Sequence, residues 1–210
     1  MPKTIGFIVT LDTKGPEAQY VKEIIEKKGH TVLVIDASGR GKPYFTPDIT
    51  QEEVAAAANT TLDEINALDT AGEATAIITK GVAKIVSHLY SCGKINGLIS
   101  LGGTSGSAIG TTAMRELPVG VPKLMVSTAA AFTGAKWYMG SKDVTIMPSV
   151  ADIAGLNRLT RRILANAACA IVGMVEAGDI KTSDKPTIAM SMLGTTTECA
   201  SRVKSSLEDK

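Results

Sequence analysis

The chain has 210 residues, of which 44% are hydrophobic, and its 22 Lys and Arg against 21 Asp and Glu give a formal net charge of +1. A chain of this size withdraws roughly 70% of its unfolded surface from water, enough for one substantial core. The charge balance argues against a nucleic-acid groove or a membrane-surface patch, and no run approaches the ~20 apolar residues that span a bilayer; the expected setting is the cytoplasm, with no nucleic-acid or membrane partner.

Ile5-Gly6-Phe7-Ile8-Val9 is a continuous apolar run, the pattern of a strand buried on both faces of a parallel sheet. The polar turn Thr10-Leu11-Asp12-Thr13-Lys14-Gly15 follows. Pro16 suits the first position of a helix whose apolar face carries Ala18, Val21, Ile24 and Ile25, ending at Lys27-Lys28-Gly29. Thr31 to Ile35 is the next strand, so the opening reads β-α-β.

Residues 36–49 are rich in Gly, Pro and polar groups and read as a loop. Thr50 and Glu53 then form a capping box for a short helix. From Thr70 to Cys92, apolar residues at helical spacing (Ala74, Ile77, Ile78, Val82, Ile85, Val86, Leu89) predict a long helix. Leu98 to Leu101 is a strand, and Gly102-Gly103-Thr104-Ser105-Gly106-Ser107 a glycine- and hydroxyl-rich turn. A helix over Ser107 to Leu117 and a strand over Lys123 to Ser127 complete a second β-loop-α-β unit.

Thr128 to Lys142, with the single tryptophan Trp137, reads as a long functional or interface loop. Asp143 to Met147 is a strand and Gly155 to Ala177 a helix with Arg158, Arg161 and Arg162 opposite its apolar stripe. After a polar link, Thr187 to Leu193 has strand character and Thr195 to Leu207 helical character. The alternation predicts an α/β fold, a doubly wound, mostly parallel Rossmann-like sheet with helices on both faces. The expected division is an α/β nucleotide-binding domain over 1–184, with 185–210 either completing that sheet or opening a second domain.

Cys92, Cys169 and Cys199 fit neither a disulfide framework nor a zinc site, and are expected to be reduced and mostly packed. No residues are assigned as metal ligands.

In a doubly wound sheet, ligands sit beyond the carboxyl ends of the strands where strand order reverses, and both polar turns belong to that edge. Glycines let backbone amides approach a ligand, and hydroxyls add donors. Thr10 to Gly15 and Gly102 to Ser107 could thus face one crevice, with two helix N-termini directed at a shared anion. Lys14 would add a point charge; Asp12 would hold a magnesium-bound water or a ribose hydroxyl, or simply cap a helix. Neither the P-loop nor the G-x-G-x-x-G pattern occurs.

Gly103 to Ser107 narrowly misses the G-x-S-x-G nucleophile elbow, and His30 and His88 have no evident route to Ser105, so a serine hydrolase is disfavoured. Arg158, Arg161 and Arg162 share a helix face that either clamps an anion, contacts a subunit or is simply solvated. Asp152 and Asn157 read as caps or outlying members of the crevice.

Val9 to Gly15, Gly102 to Gly106, Leu117 to Thr128 and Asp152 to Arg158 together resemble the Tm-one-like ATP-binding family, named for a tomato tobamovirus-resistance protein. The likeness covers nearly the whole chain, as the first domain plus the start of the second. It implies an ATP-binding first domain, with or without magnesium, and homodimers or higher oligomers; a separate chain supplying the second domain is the other arrangement. Carried over by motif, the nucleotide-binding residues are Thr10, Asp12, Thr13, Lys14, Gly102, Gly103, Thr104, Ser105 and Gly106. Catalysis is left open. The rival readings are a ligase or hydrolase acting on a small acid and a half-protein assembly subunit.

Overall fold

A computed structural model describes residues 1–129, 136–178 and 186–208. Five parallel strands, β1 (Thr4–Val9), β2 (Thr31–Asp36), β3 (Gly97–Gly102), β4 (Lys123–Ser127) and β5 (Thr145–Pro148), form one sheet in the order β2-β1-β3-β4-β5. Among the described residues the helices are α1 (Leu11–Lys27), α2 (Gln51–Ala57), α3 (Leu62–Asn66), α4 (Ala71–Ser91), α5 (Thr104–Glu116), α6 (Lys136–Met139), α7 (Arg158–Glu176) and α8 (Thr197–Glu208).

Because side chains alternate along a strand, the apolar runs supply two cores at once. On one face Phe7, Val9, Ile99, Leu101 and Val126 pack with Val21 and Ile25 of α1 and Leu164 and Ile171 of α7. On the other, Ile8, Ile35, Leu98 and Met125 pack with Ile78, Val82 and Val86 of α4 and Ile109 and Met114 of α5. Helices on both faces of a parallel sheet are the doubly wound arrangement expected from the sequence.

Local signals set several boundaries. Thr50 and Glu53 form the anticipated reciprocal cap of α2, and Thr61 and Glu64 repeat it for α3, which the sequence reading had not separated. The Thr70 hydroxyl accepts from the Glu73 amide at the start of α4.

The chain forms two compact units, Met1–Gly178 and Asp179–Lys210. The sheet and α1 to α7 lie in the first; the second contains α8 and a preceding 3-10 turn, Gly194–Thr196. Residues 186–193 form no strand, contrary to the reading of Thr187 to Leu193. Their apolar residues Ile188, Met190, Met192 and Leu193 are exposed. Strand propensity without a partner to complete the ladder does not make a strand.

The cysteines differ from expectation in their packing: all three, free thiols, are exposed rather than packed. Each falls on an outward position of a helix or its end, where neighbouring alanines and aliphatics take the inward ones. Within the expected loop from Thr128 to Lys142, residues 130–135 lie outside the described residues, and Lys136–Met139 form α6, with Tyr138 buried and Trp137 exposed. Among the described residues, no helix is long and apolar enough to cross a membrane.

Candidate functional site at the strand-order reversal

The order β2-β1-β3 means that the chain leaves β1 to one side for β2 and returns on the other side as β3, which places the reversal between β1 and β3. These two strands are hydrogen-bonded neighbours, with Phe7 opposite Ile99 and Ile8 opposite Ser100. The turns after them, Thr10 to Gly15 and Gly102 to Ser107, therefore emerge side by side at the carboxyl edge of the sheet. This is where a doubly wound fold opens a crevice.

The two turns are chemically unlike. After β1, helical structure begins at Leu11 rather than at Pro16, is interrupted at Lys14 (φ −125°, ψ 22°), and resumes at the proline. The first turn is closed by the protein itself. Leu11 N–H donates to Asp36 Oδ1 at 3.2 Å and Asp12 N–H to Ser38 Oγ at 3.2 Å, while Thr13 and Lys14 N–H both donate to the Thr10 carbonyl. Asp36 is fully buried at the end of β2, and its Oδ1 also accepts from Ser38 N–H at 2.9 Å. An internal carboxylate thus occupies the positive end of α1, the place a bound anion would otherwise take. The expectation of two helix N-termini sharing one ligand is corrected here: α1 has spent its first amides on Asp36 and Ser38.

The side chains of this turn are partly committed too. The Thr10 and Thr13 hydroxyls lie 2.9 Å apart. Asp12 is exposed, and its Oδ1 accepts from the Ser38 hydroxyl at 3.0 Å. Lys14 donates through Nζ to the carbonyl of Ile153 in the loop before α7, so its charge is tethered between β1 and β5. Gly15 is required by proximity: a Cβ there would fall 2.0 Å from Tyr44 Cβ, because the 37–49 loop lies across the turn.

The turn after β3 is open. Gly103 is the N-cap of α5 and has no side chain to cap with. Among the described residues the amides of Thr104, Ser105 and Gly106 find no acceptor, whereas Ser107 N–H donates back to the Gly103 carbonyl at 2.8 Å. Thr104 and Ser105 are exposed and Gly103 and Gly106 half-buried. Gly102 is buried, and a Cβ on it would lie 2.8 Å from Gly106 Cα, so the repeated glycines let the strand end and the first helical turn close tightly on each other. Behind them, the Ser107 hydroxyl meets that of Ser127 at 2.7 Å and fixes α5 to the end of β4. Three unspent N–H groups at the start of a thirteen-residue helix are a ready acceptor site for an anion.

Other residues sort clearly. His30, just before β2, accepts from Lys3 N–H through Nδ1 and meets Glu176 through Nε2 at 3.0 Å. His88, in the last turn of α4 leading to β3, lies beside Cys92. Both histidines of the chain therefore sit toward the amino edge of the sheet, opposite Ser105. Asn157 is the cap of α7, accepting from Leu159 and Thr160 N–H; Asp152 is exposed in the preceding loop.

Three residues of this edge were not anticipated: Asp36, Ser38 and Glu17. Glu17 is 1% exposed and accepts from Gly155 N–H at 2.5 Å, joining α1 to the loop before α7. A signal existed for two of them, since Asp36 closes an apolar strand and Glu17 stands next to Ala18 on the helix's inward side. Neither signal shows which backbone group the carboxylate serves.

Residues 3–179 match the N-terminal domain of an uncharacterised protein family, UPF0261. The chain belongs to the UPF0261 family. A UPF0261 protein of Clostridium tetani is 42% identical over the whole of this chain and 52% of its own length. One from Rhizobium meliloti is 36% identical over 96% of this chain and 49% of its own. The chain thus spans about half the length of these bacterial UPF0261 relatives. The tomato ToMV susceptible protein tm-1(GCR26) is 36% identical over 66% of the chain and 19% of the tomato protein, in line with the resemblance drawn from the four motifs.

Proposed function

We propose that this domain binds the phosphates of a nucleotide, ATP foremost, at the carboxyl edge between β1 and β3. The observation that carries this reading is the set of unspent amides on Thr104, Ser105 and Gly106. Helix N-terminal N–H groups bind phosphate without further apparatus, and two exposed hydroxyls stand among them. The resemblance to an ATP-binding family supports ATP as the ligand to test first.

The donor set fits such a group. Gly102, Gly103 and Gly106 shape the cradle, and the Thr104 and Ser105 amides and hydroxyls would hold phosphate oxygens. The Thr10 and Thr13 hydroxyls and the exposed Asp12 carboxylate would line the facing wall, Asp12 toward a magnesium-bound water or a ribose hydroxyl. Lys14 acts on this wall chiefly by fixing the Ile153 carbonyl. With both histidines at the opposite edge, Ser105 serves as a donor and not as a nucleophile. Whatever reaction the longer proteins perform would draw on groups beyond this edge.

The test is calorimetric titration with ATP and magnesium of the wild-type chain and Thr104→Pro. Thr104 is the first helical residue of α5, where proline keeps the helix intact and deletes one N–H. The expected outcome is a loss of affinity of about tenfold, one charge-assisted hydrogen bond, with little change in thermal midpoint. No binding by the wild type, or equal affinity in the variant, contradicts the proposal.

A further inference from the structure

We propose that a second anion site lies on the opposite face of the sheet from α5, in the cleft between α1 and α7, and that it takes a small molecule bearing two or more phosphate or carboxylate groups. The cleft has a volume of about 380 Å³ and is lined by Tyr20, Arg158, Arg161, Arg162 and Ala165. That volume is in the range of small-molecule sites.

The charges there are arranged against the stability of the domain alone. Arg158, Arg161 and Arg162 stand within one turn of each other at i, i+3 and i+4, where like charges repel. They also occupy the first turns of α7, the positive end of its dipole, where carboxylates are favoured and cations are not. No carboxylate pairs with any of the three, and none of their guanidinium groups donates a hydrogen bond, among the described residues. By contrast the Leu159 and Thr160 amides at this helix start already donate to Asn157 Oδ1, so the donors that face the cleft are the guanidinium forks.

One of these forks is held in place. The Arg161 guanidinium carbon sits 5.1 Å from the centre of the Tyr20 ring, a cation–π contact that places it at the wall of the cleft. Arginine matches phosphate and carboxylate in a bidentate, planar way, so three such forks around one concavity suit a ligand with more than one anionic group. An anion bound there would relieve the repulsion among all three.

The experiment is calorimetric titration with pyrophosphate and, separately, citrate at 150 mM salt, using the wild type, an Arg161→Gln/Arg162→Gln double variant and Thr104→Pro. All three arginines are exposed, so the double variant should fold, as circular dichroism will verify. Saturable binding of either probe, weakened at least tenfold in the double variant and unchanged in Thr104→Pro, is the expected result. Pyrophosphate alone would mark a phosphorylated ligand and citrate alone a polycarboxylate. No saturable binding of either, or a titration that the double variant leaves unchanged in both affinity and stoichiometry, overturns the proposal; loss in Thr104→Pro only would assign the probe to α5 and overturn this site without touching the nucleotide site.

Discussion

Asp36→Ala is expected to lower the unfolding free energy by about 3 kcal/mol, measured by urea denaturation, because it leaves the buried amides of Leu11 and Ser38 without an acceptor, each at about 1–3 kcal/mol. The carboxylate also offsets the positive end of α1, a contribution that vanishes with it. Asp36→Asn separates the two effects: it keeps an acceptor oxygen and removes the charge, so its loss should be clearly smaller. Amide exchange at Leu11 and Asp12 should quicken in the alanine variant. Equal stability of wild type and Asp36→Ala would show that this carboxylate does not anchor the β1 turn.

Asp143→Ala has the second largest expected effect. Lys123 in β4 is fully buried, donating to the Pro118 and Val121 carbonyls and pairing with Asp143 Oδ1 at 2.8 Å. Gly120 N–H donates to the other carboxylate oxygen at 2.8 Å. Removing one partner of a buried pair strands the other charge, but the Asp143 side chain is 41% exposed and solvent screens that end, so the loss should be about 2 kcal/mol.

The pH dependence of this contribution has a definite sign. Burial works to raise the Asp143 carboxyl, but the hydrogen bonds from Lys123 and Gly120 and the attraction of the ammonium outweigh it and hold the group below its ordinary value of 3.8. The folded state therefore favours the ionised form. The stabilisation is complete above 3.8 and is lost as pH falls through the lower folded value. Wild type and Asp143→Ala should differ fully near neutrality and converge in acid; a difference that persists unchanged in acid would contradict the assignment.

Much of the sheet was legible because buried parallel strands are written as uninterrupted apolar runs. Lys123 to Ser127 was placed to the residue, and the Thr50–Glu53 cap located α2 because its two partners lie three apart in sequence. Helix starts without a side-chain cap were less legible. Gly103 gives no capping signal, so α5 was placed from Ser107 although it begins at Thr104, and those three added residues are the ones with free amides.

What the sequence did not disclose is tertiary. Asp36 is 25 residues from Leu11 and Glu17 is 138 residues from Gly155; no local spacing announces such pairs. The symmetric picture of two equivalent phosphate turns failed for that reason, since a carboxylate from β2 already satisfies one of them. Strand-like patterning at 187–193 failed for the complementary reason, because a strand needs neighbours that its own sequence does not supply.

Nucleotide binding at the start of α5 is tested most directly by amide mapping with two-dimensional nuclear magnetic resonance during titration with ATP and magnesium. Saturable shifts are expected at Thr104, Ser105 and Gly106, with smaller movements at Leu11 and Asp12, whose N–H groups already donate to Asp36 and Ser38. Absence of saturable shifts at the start of α5, or shifts confined to the turn from Arg158 to Arg162, would contradict it.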